Sequence, residues 1–351
     1  MKNKISVEDF GIIQNGKKAH LFTVKRENIS FCVTDYGCCI TSLNIKNSSG
    51  SFTDVVLGLE TLSGYACSWG SFGAVIGRFS NRIMKAGFEL NGKKYKLTEN
   101  IEGACLHGGF PAWGNLIWDA KKIRKNDSSG ICFTKTFKDG EQGFPGNLTV
   151  EVEYLIDDNK QIFMTYRAVT DKDTPISITN HSYFNLRGKE TVHDYLVKLD
   201  AEKYVVNGDP ATLVPVEGTE YDFLTERPVC DKRESSPNPG FMAYDVCYVT
   251  KAYSENKGIP LEGKPMVKIA EVKDPVSGQK MTVSTNQEGF QFYTAKYVNH
   301  VPGKKGFWYT PYMAVCIETQ SFPDSPNQKN FPSTILHPGE KYEAKTVYSF
   351  S

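Results

Sequence analysis

Three stretches of this chain carry residues able to move protons. Asn180-His181-Ser182-Tyr183-Phe184-Asn185-Leu186 ends an alternating run, Ile176-Ser-Ile-Thr, that reads as a strand. An imidazole is the side chain whose ordinary pKa lies nearest cellular pH, and flanking Asn, Ser and Tyr groups are expected to hold its ring for proton transfer. The plainer alternative is a satisfied structural histidine. Glu318 lies in Ala314-Val-Cys-Ile-Glu-Thr-Gln320, where period two puts Ala314, Cys316, Glu318 and Gln320 on one strand face. Removing a carboxylate from water disfavours its charged form, which makes it a stronger base at neutral pH. An edge-strand glutamate or a member of a buried ion pair is the competing reading. In Leu106-His107-Gly108-Gly109, two glycines let backbone approach a ligand closely, or simply make a tight turn.

These groups need rigid elements behind them, and the periodicity of the chain supplies strands. Leu148, Val150, Val152, Tyr154 and Ile156 alternate with Thr149, Glu151 and Glu153, the pattern of a half-buried strand. Asn91-Gly92, inside Phe88 to Leu97, predicts a two-residue hairpin of type I′, because both residues tolerate positive φ. Asp274 to Ser284 predicts a similar turn. Helical periodicity is scarce, and strand-like segments recur about every ten residues, so the fold class is all-β with sheets packed face to face. The stretches Pro228 to Pro239 and Pro323 to Pro332 read as loops inside one domain spanning residues 1–351. No internal repeat or low-complexity segment is visible.

The 351 residues are 40% hydrophobic with a formal net charge of +1, enough apolar material for a substantial core. Balanced charge argues against nucleic acid or an anionic membrane as partner and favours a small neutral ligand. No stretch approaches the roughly 18 apolar residues that span a bilayer, and no apolar segment follows the basic N-terminus, so a cytoplasmic location is expected. Nine cysteines without a Cys-x-x-Cys pair read as reduced thiols. The sequence also lacks a glycine-rich phosphate loop.

Gly77-Arg-Phe-Ser-Asn-Arg-Ile83, Leu106 to Gly109, Gly140 to Leu148, Asn180 to Leu186, Glu318-Thr-Gln-Ser-Phe-Pro-Asp-Ser-Pro-Asn327 and Pro338-Gly-Glu340 follow one another along the chain. Together they closely resemble the aldose 1-epimerase family, the galactose mutarotases, over roughly residues 20 to 350. The resemblance implies a large antiparallel β-sandwich of the galactose mutarotase-like supersandwich type. It also implies acid/base interconversion of the α and β anomers of free hexoses such as galactose or glucose, with no cofactor or metal. Glu318 would take the C1 hydroxyl proton and His181 would protonate the ring oxygen. Asn81, Arg82, His107, Tyr183, Asp245 and Gln291 match sugar-binding positions, whereas Arg78 resembles a structural salt-bridge partner. Monomer and homodimer both remain open.

The chain departs from the family pattern at Val246, where histidine is common, at Ala295-Lys296, and over residues 110–114. Trp113 in that last segment either stacks on a sugar face or fills the core. Rival readings are a His107–His181–Glu318 zinc site, a non-catalytic carbohydrate-binding protein on the same fold, and a hexose-6-phosphate mutarotase using Arg78 and Arg82.

Overall fold

The computed structural model describes residues 4–255 and 264–351, so the first three residues of the N-terminal stretch lie outside it. Strand alternation builds three principal sheets. A nine-stranded antiparallel sheet runs in the order Asp119–Lys125, Ser128–Phe137, Leu148–Ile156, Gln161–Thr170, Tyr342–Phe350, Lys280–Thr285, Val267–Lys273, Leu196–Leu199 and Arg227–Pro228. The last strand of the chain thus sits mid-sheet, between Gln161–Thr170 and Lys280–Thr285. A five-stranded meander begins with Lys4–Ile12 and ends with Phe52–Asp54. The third sheet has the order Thr212–Pro215, Lys203–Val206, Asp245–Val249, Gly289–Tyr293, Cys316–Gln320.

Leu148, Val150, Val152, Tyr154 and Ile156 are all fully buried, as their alternation predicts. They join an apolar cluster that draws side chains from Phe22 to Phe350 and includes Ile317, Phe290 and Phe292 beneath the third sheet. At about 25 cal/mol per Å² of apolar surface removed from water, a cluster of this extent is the main force holding the sheets together. The expected hairpin forms with Gly87–Leu90 paired to Lys93–Lys96, and Asn91 and Gly92 have φ of 52° and 74°, as a type I′ turn requires. The second turn is longer than the first. It joins Val267–Lys273 to Lys280–Thr285 with Gly278 at φ 74°. No helix among the described residues is long and apolar enough to cross a membrane.

Candidate active site

The third sheet supplies the floor of the site. Its register pairs Gln291 directly with Glu318 and Cys247 with Gln291, which sets Asp245, Gln291 and Glu318 on three adjacent strands. Strand Cys316–Gln320 is buried on both faces. Ile317 packs into the main apolar cluster, while Cys316 on the opposite face packs into a second one, and Glu318, 3% exposed, shares that face and lines the cleft.

His181 arrives from a different element. Strand Thr179–Asn180 pairs with Val75–Ile76, and the His181 backbone is pinned by its N–H to the Ala74 carbonyl and by its carbonyl to the Gly73 N–H, both at 2.9 Å. Its Nε2 then lies 3.6 Å from Glu318 Oε1. Of the flanking groups, Asn180 and Ser182 do not grip the ring as the sequence suggests, whereas Tyr183 does. Asn180 Nδ2 donates to the Gly73 carbonyl and to the Tyr154 hydroxyl, and the Ser182 hydroxyl donates to Asn180. The ring is instead stacked on Tyr183 at 4.8 Å and 18°, with Tyr293 and His107 edge-on, and His181 Nδ1 is buried without a partner.

His107 occupies the opposite wall with φ 54°. Its N–H donates to the Asn81 carbonyl at 2.9 Å, and the Asn81 N–H donates back to His107 Nδ1 at 3.2 Å. Asn81, also at positive φ, donates from Nδ2 to Gln291 Oε1 and accepts on Oδ1 from the Arg82 backbone and guanidinium. Gln291 Nε2 donates to Asp245 Oδ1 at 2.7 Å, and Arg82 Nη2 stands 3.8 Å from Asp245 Oδ2. A closed ring of polar contacts therefore runs Arg82–Asn81–Gln291–Asp245.

All eight site residues expected from the sequence line one cleft of about 540 Å³. Tyr183 contributes its ring face rather than its hydroxyl, which donates to the Gly70 carbonyl. Burial, reinforced by the charge of Asp245, pushes the Glu318 carboxyl up to about 8, against a smaller opposing effect of Arg82. Burial pulls His181 down to about 4 although Asp245 favours its charged form. His107 is lowered well below the usual imidazole range by burial, by His181 and by Arg82. Between pH of about 4 and about 8 the two groups thus hold one proton, and it rests on Glu318. Such a pair can accept a proton at one point of a ligand while releasing one at another.

Several expectations are corrected. Arg78 is fully buried but forms no salt bridge among the described residues: Nη1 donates to the Pro145 and Gly146 carbonyls and to Thr174. It lies outside the cleft lining. Trp113, 1% exposed, is stacked on Phe137 and donates to Gln142, so it fills the core. Val246 points away from the cleft into the main apolar cluster, as strand alternation from Asp245 requires, so this departure changes packing rather than ligand contacts. Lys296 reaches the Ala243 carbonyl and the Tyr297 ring.

The sequence reading missed Tyr293, Phe72, Tyr297 and Trp69 in the cleft. Tyr293 was recoverable, since it lies two residues beyond Gln291 on the same strand face. Trp69, 90% exposed, sits in a loop with no local signal. The His107, His181 and Glu318 donor atoms lie within 4.8 Å of one another, so the residues of the zinc alternative do converge.

A family model described as aldose 1-epimerase matches residues 20–349. Galactose mutarotase of Mus musculus is 35% identical over 343 residues, covering 96% of this chain and 95% of its own. Aldose 1-epimerase of Escherichia coli K12 is 30% identical over 345 residues, 96% of each chain. Among solved structures, an aldose epimerase homologue from C. elegans superposes with a TM-score of 0.82 at 24% identity over 99% of both chains. A galactose 1-epimerase from Lactobacillus acidophilus gives 0.81 at 20% identity over 100% of this chain and 99% of its own. These likenesses establish the fold as a galactose mutarotase-like antiparallel β-sandwich. With the family matched over nearly its whole length, this chain belongs to the aldose 1-epimerase family and is an isomerase.

Proposed function

We propose that the protein interconverts the α and β anomers of free hexoses such as galactose or glucose, with Glu318 and His181 as the proton-transfer pair. The observation that carries this reading is the 3.6 Å approach of a buried, cation-poor carboxylate to a buried imidazole in one cleft. Glu318 removes the C1 hydroxyl proton while His181 protonates the ring oxygen. The ring opens, the aldehyde turns about C1–C2, and the reverse transfers close it on the other face. In the protein by itself the proton rests on Glu318. A C1 hydroxyl donating to that carboxylate favours its ionised form and so biases the pair toward the reactive arrangement, while Asp245 favours the proton on His181 and on Glu318 alike.

Arg82, Asp245 and His107 face the cleft as hydroxyl partners. Burial of Arg78 removes one of the two cations on which a 6-phosphate site would depend, which supports a free sugar. The apolar cluster from Phe22 to Phe350 supports a single domain, and nine unpaired thiols support a reducing, cytoplasmic setting. Polarimetry of freshly dissolved α-galactose and α-glucose tests the function. Faster approach to an unchanged final rotation, without added cofactor, is expected. A rate equal to the buffer blank for both sugars overturns the reading.

A further inference from the structure

Asn81 and Gln291 line the cleft, yet each is at most 4% exposed and the polar atoms of both side chains are committed to protein partners. The Asn81 backbone is equally committed. Its carbonyl and its N–H clasp His107 from both ends, and the N–H points at Nδ1. A ring nitrogen that accepts a hydrogen bond from an amide cannot itself carry a proton, so the neutral imidazole bears its hydrogen on Nε2. His181 differs: no neighbouring residue donates to or accepts from its Nδ1 among the described residues.

We propose that Asn81 is a positioning residue. Its backbone locks His107 as a permanent Nε2–H donor toward the sugar, and its amide, working through Gln291, sets the Arg82–Asp245 pair. Each polar atom of the two side chains thus has a protein partner, and their action on the substrate runs through the groups they hold. The two cleft histidines are thereby specialised: His107 donates a hydrogen bond without exchanging its proton, which leaves the exchangeable proton to His181. The left-handed backbone of Asn81, at φ 61°, is part of the device, because in it the N–H and carbonyl both reach His107. Asparagine tolerates that conformation well, and glycine does so without penalty.

The proposal rests on the mutarotase reading for its kinetic arm only, since the tautomer is a property of the free protein. Long-range ¹H–¹⁵N spectra of the ¹⁵N-histidine-labelled full chain near pH 7 should show His107 as a neutral Nε2–H imidazole. Asn81→Gly, which keeps the backbone clasp and deletes the amide, should preserve that signature. An Nδ1–H or charged His107 in the wild type would overturn the lock, whatever the activity. In kinetics, Asn81→Gly and Gln291→Leu should each lower kcat/KM roughly tenfold. Because they act through one network, the double variant should be little worse than the more damaging single one. Fully multiplicative losses with KM alone raised would mean that each residue binds the sugar independently, and would overturn the positioning role. Loss of rotation change in every protein, with the His107 signature intact, would count against the proposed function and leave the lock standing.

Discussion

Two buried glutamates show how one residue type is put to opposite uses in this molecule. Glu153, 5% exposed on strand Leu148–Ile156, contacts Lys125 and lies 3.9 Å from Arg167. Glu318, 3% exposed on strand Cys316–Gln320, has a neutral histidine at 3.6 Å and the like charge of Asp245 nearby, and its carboxyl rises to about 8. Their exposure is nearly equal, so the contrast between them is in the groups alongside. The difference lies in what stands beside the carboxylate: Arg167 from the adjacent strand and Lys125 from two strands away for Glu153, and a loop-borne imidazole for Glu318.

The largest effect expected on the catalytic side is that of His181→Asn, which should lower kcat by about 10²–10⁴-fold with sugar affinity largely kept. Stopped polarimetric assays read both parameters, and unchanged kcat would remove the acid role from His181. Glu318→Gln should lower kcat by about 10²-fold or more, whereas Glu153→Gln should leave it within about twofold. Equal losses in the two variants would erase the contrast.

The pH profile sharpens the comparison further. Because the His181–Glu318 pair works with one proton, kcat/KM should be flat between the two limits and fall below about 4 and above about 8. A profile still rising beyond pH 9 would contradict the sharing of one proton. Stability should move in opposite directions for the two glutamates. The folded pKa of Glu318 is raised, so between the ordinary carboxylate range and about 8 the unfolded chain has already released a proton that the folded one keeps. Its ionisation therefore erodes stability as pH rises, and Glu318→Gln should become progressively more stable than wild type from pH 5 to pH 8.5. Glu153→Gln should instead destabilise by about 1 kcal/mol or less, since Lys125 remains half exposed and screened. Denaturant midpoints at the two pH values measure both. The smallest effect concerns metal: excess chelator should leave turnover unchanged, and a loss restored by zinc would revive the His107–His181–Glu318 alternative.

Local periodicity made much of the fold legible. Alternation in Leu148–Ile156 and the Asn91-Gly92 turn depend on neighbours in sequence, and both form as read. Order-specific segments likewise contain six of the expected residues that line the cleft, Asn81, Arg82, His107, His181, Tyr183 and Glu318. What a residue does with its contacts was less legible. Tyr183 hides its hydroxyl, Arg78 turns to carbonyls, and Asn180 and Ser182 brace backbone, because hydrogen-bond partners are chosen in three dimensions.

The sequence by itself determined that strands would form, where the sharp turns would fall, and which proton-carrying side chains were available. All of these follow from side-chain periodicity and residue chemistry along the chain. Only the tertiary structure decided that His181, reached through the pairing of Thr179–Asn180 with Val75–Ile76, would stand 3.6 Å from a glutamate 137 positions further on. It also decided that, among the described residues, no lysine or arginine would stand in ion-pair contact with this glutamate, while Glu153 gained Lys125. A pKa is set by the charges and the water that surround a group in space, and those surroundings exist only once the sheets have packed.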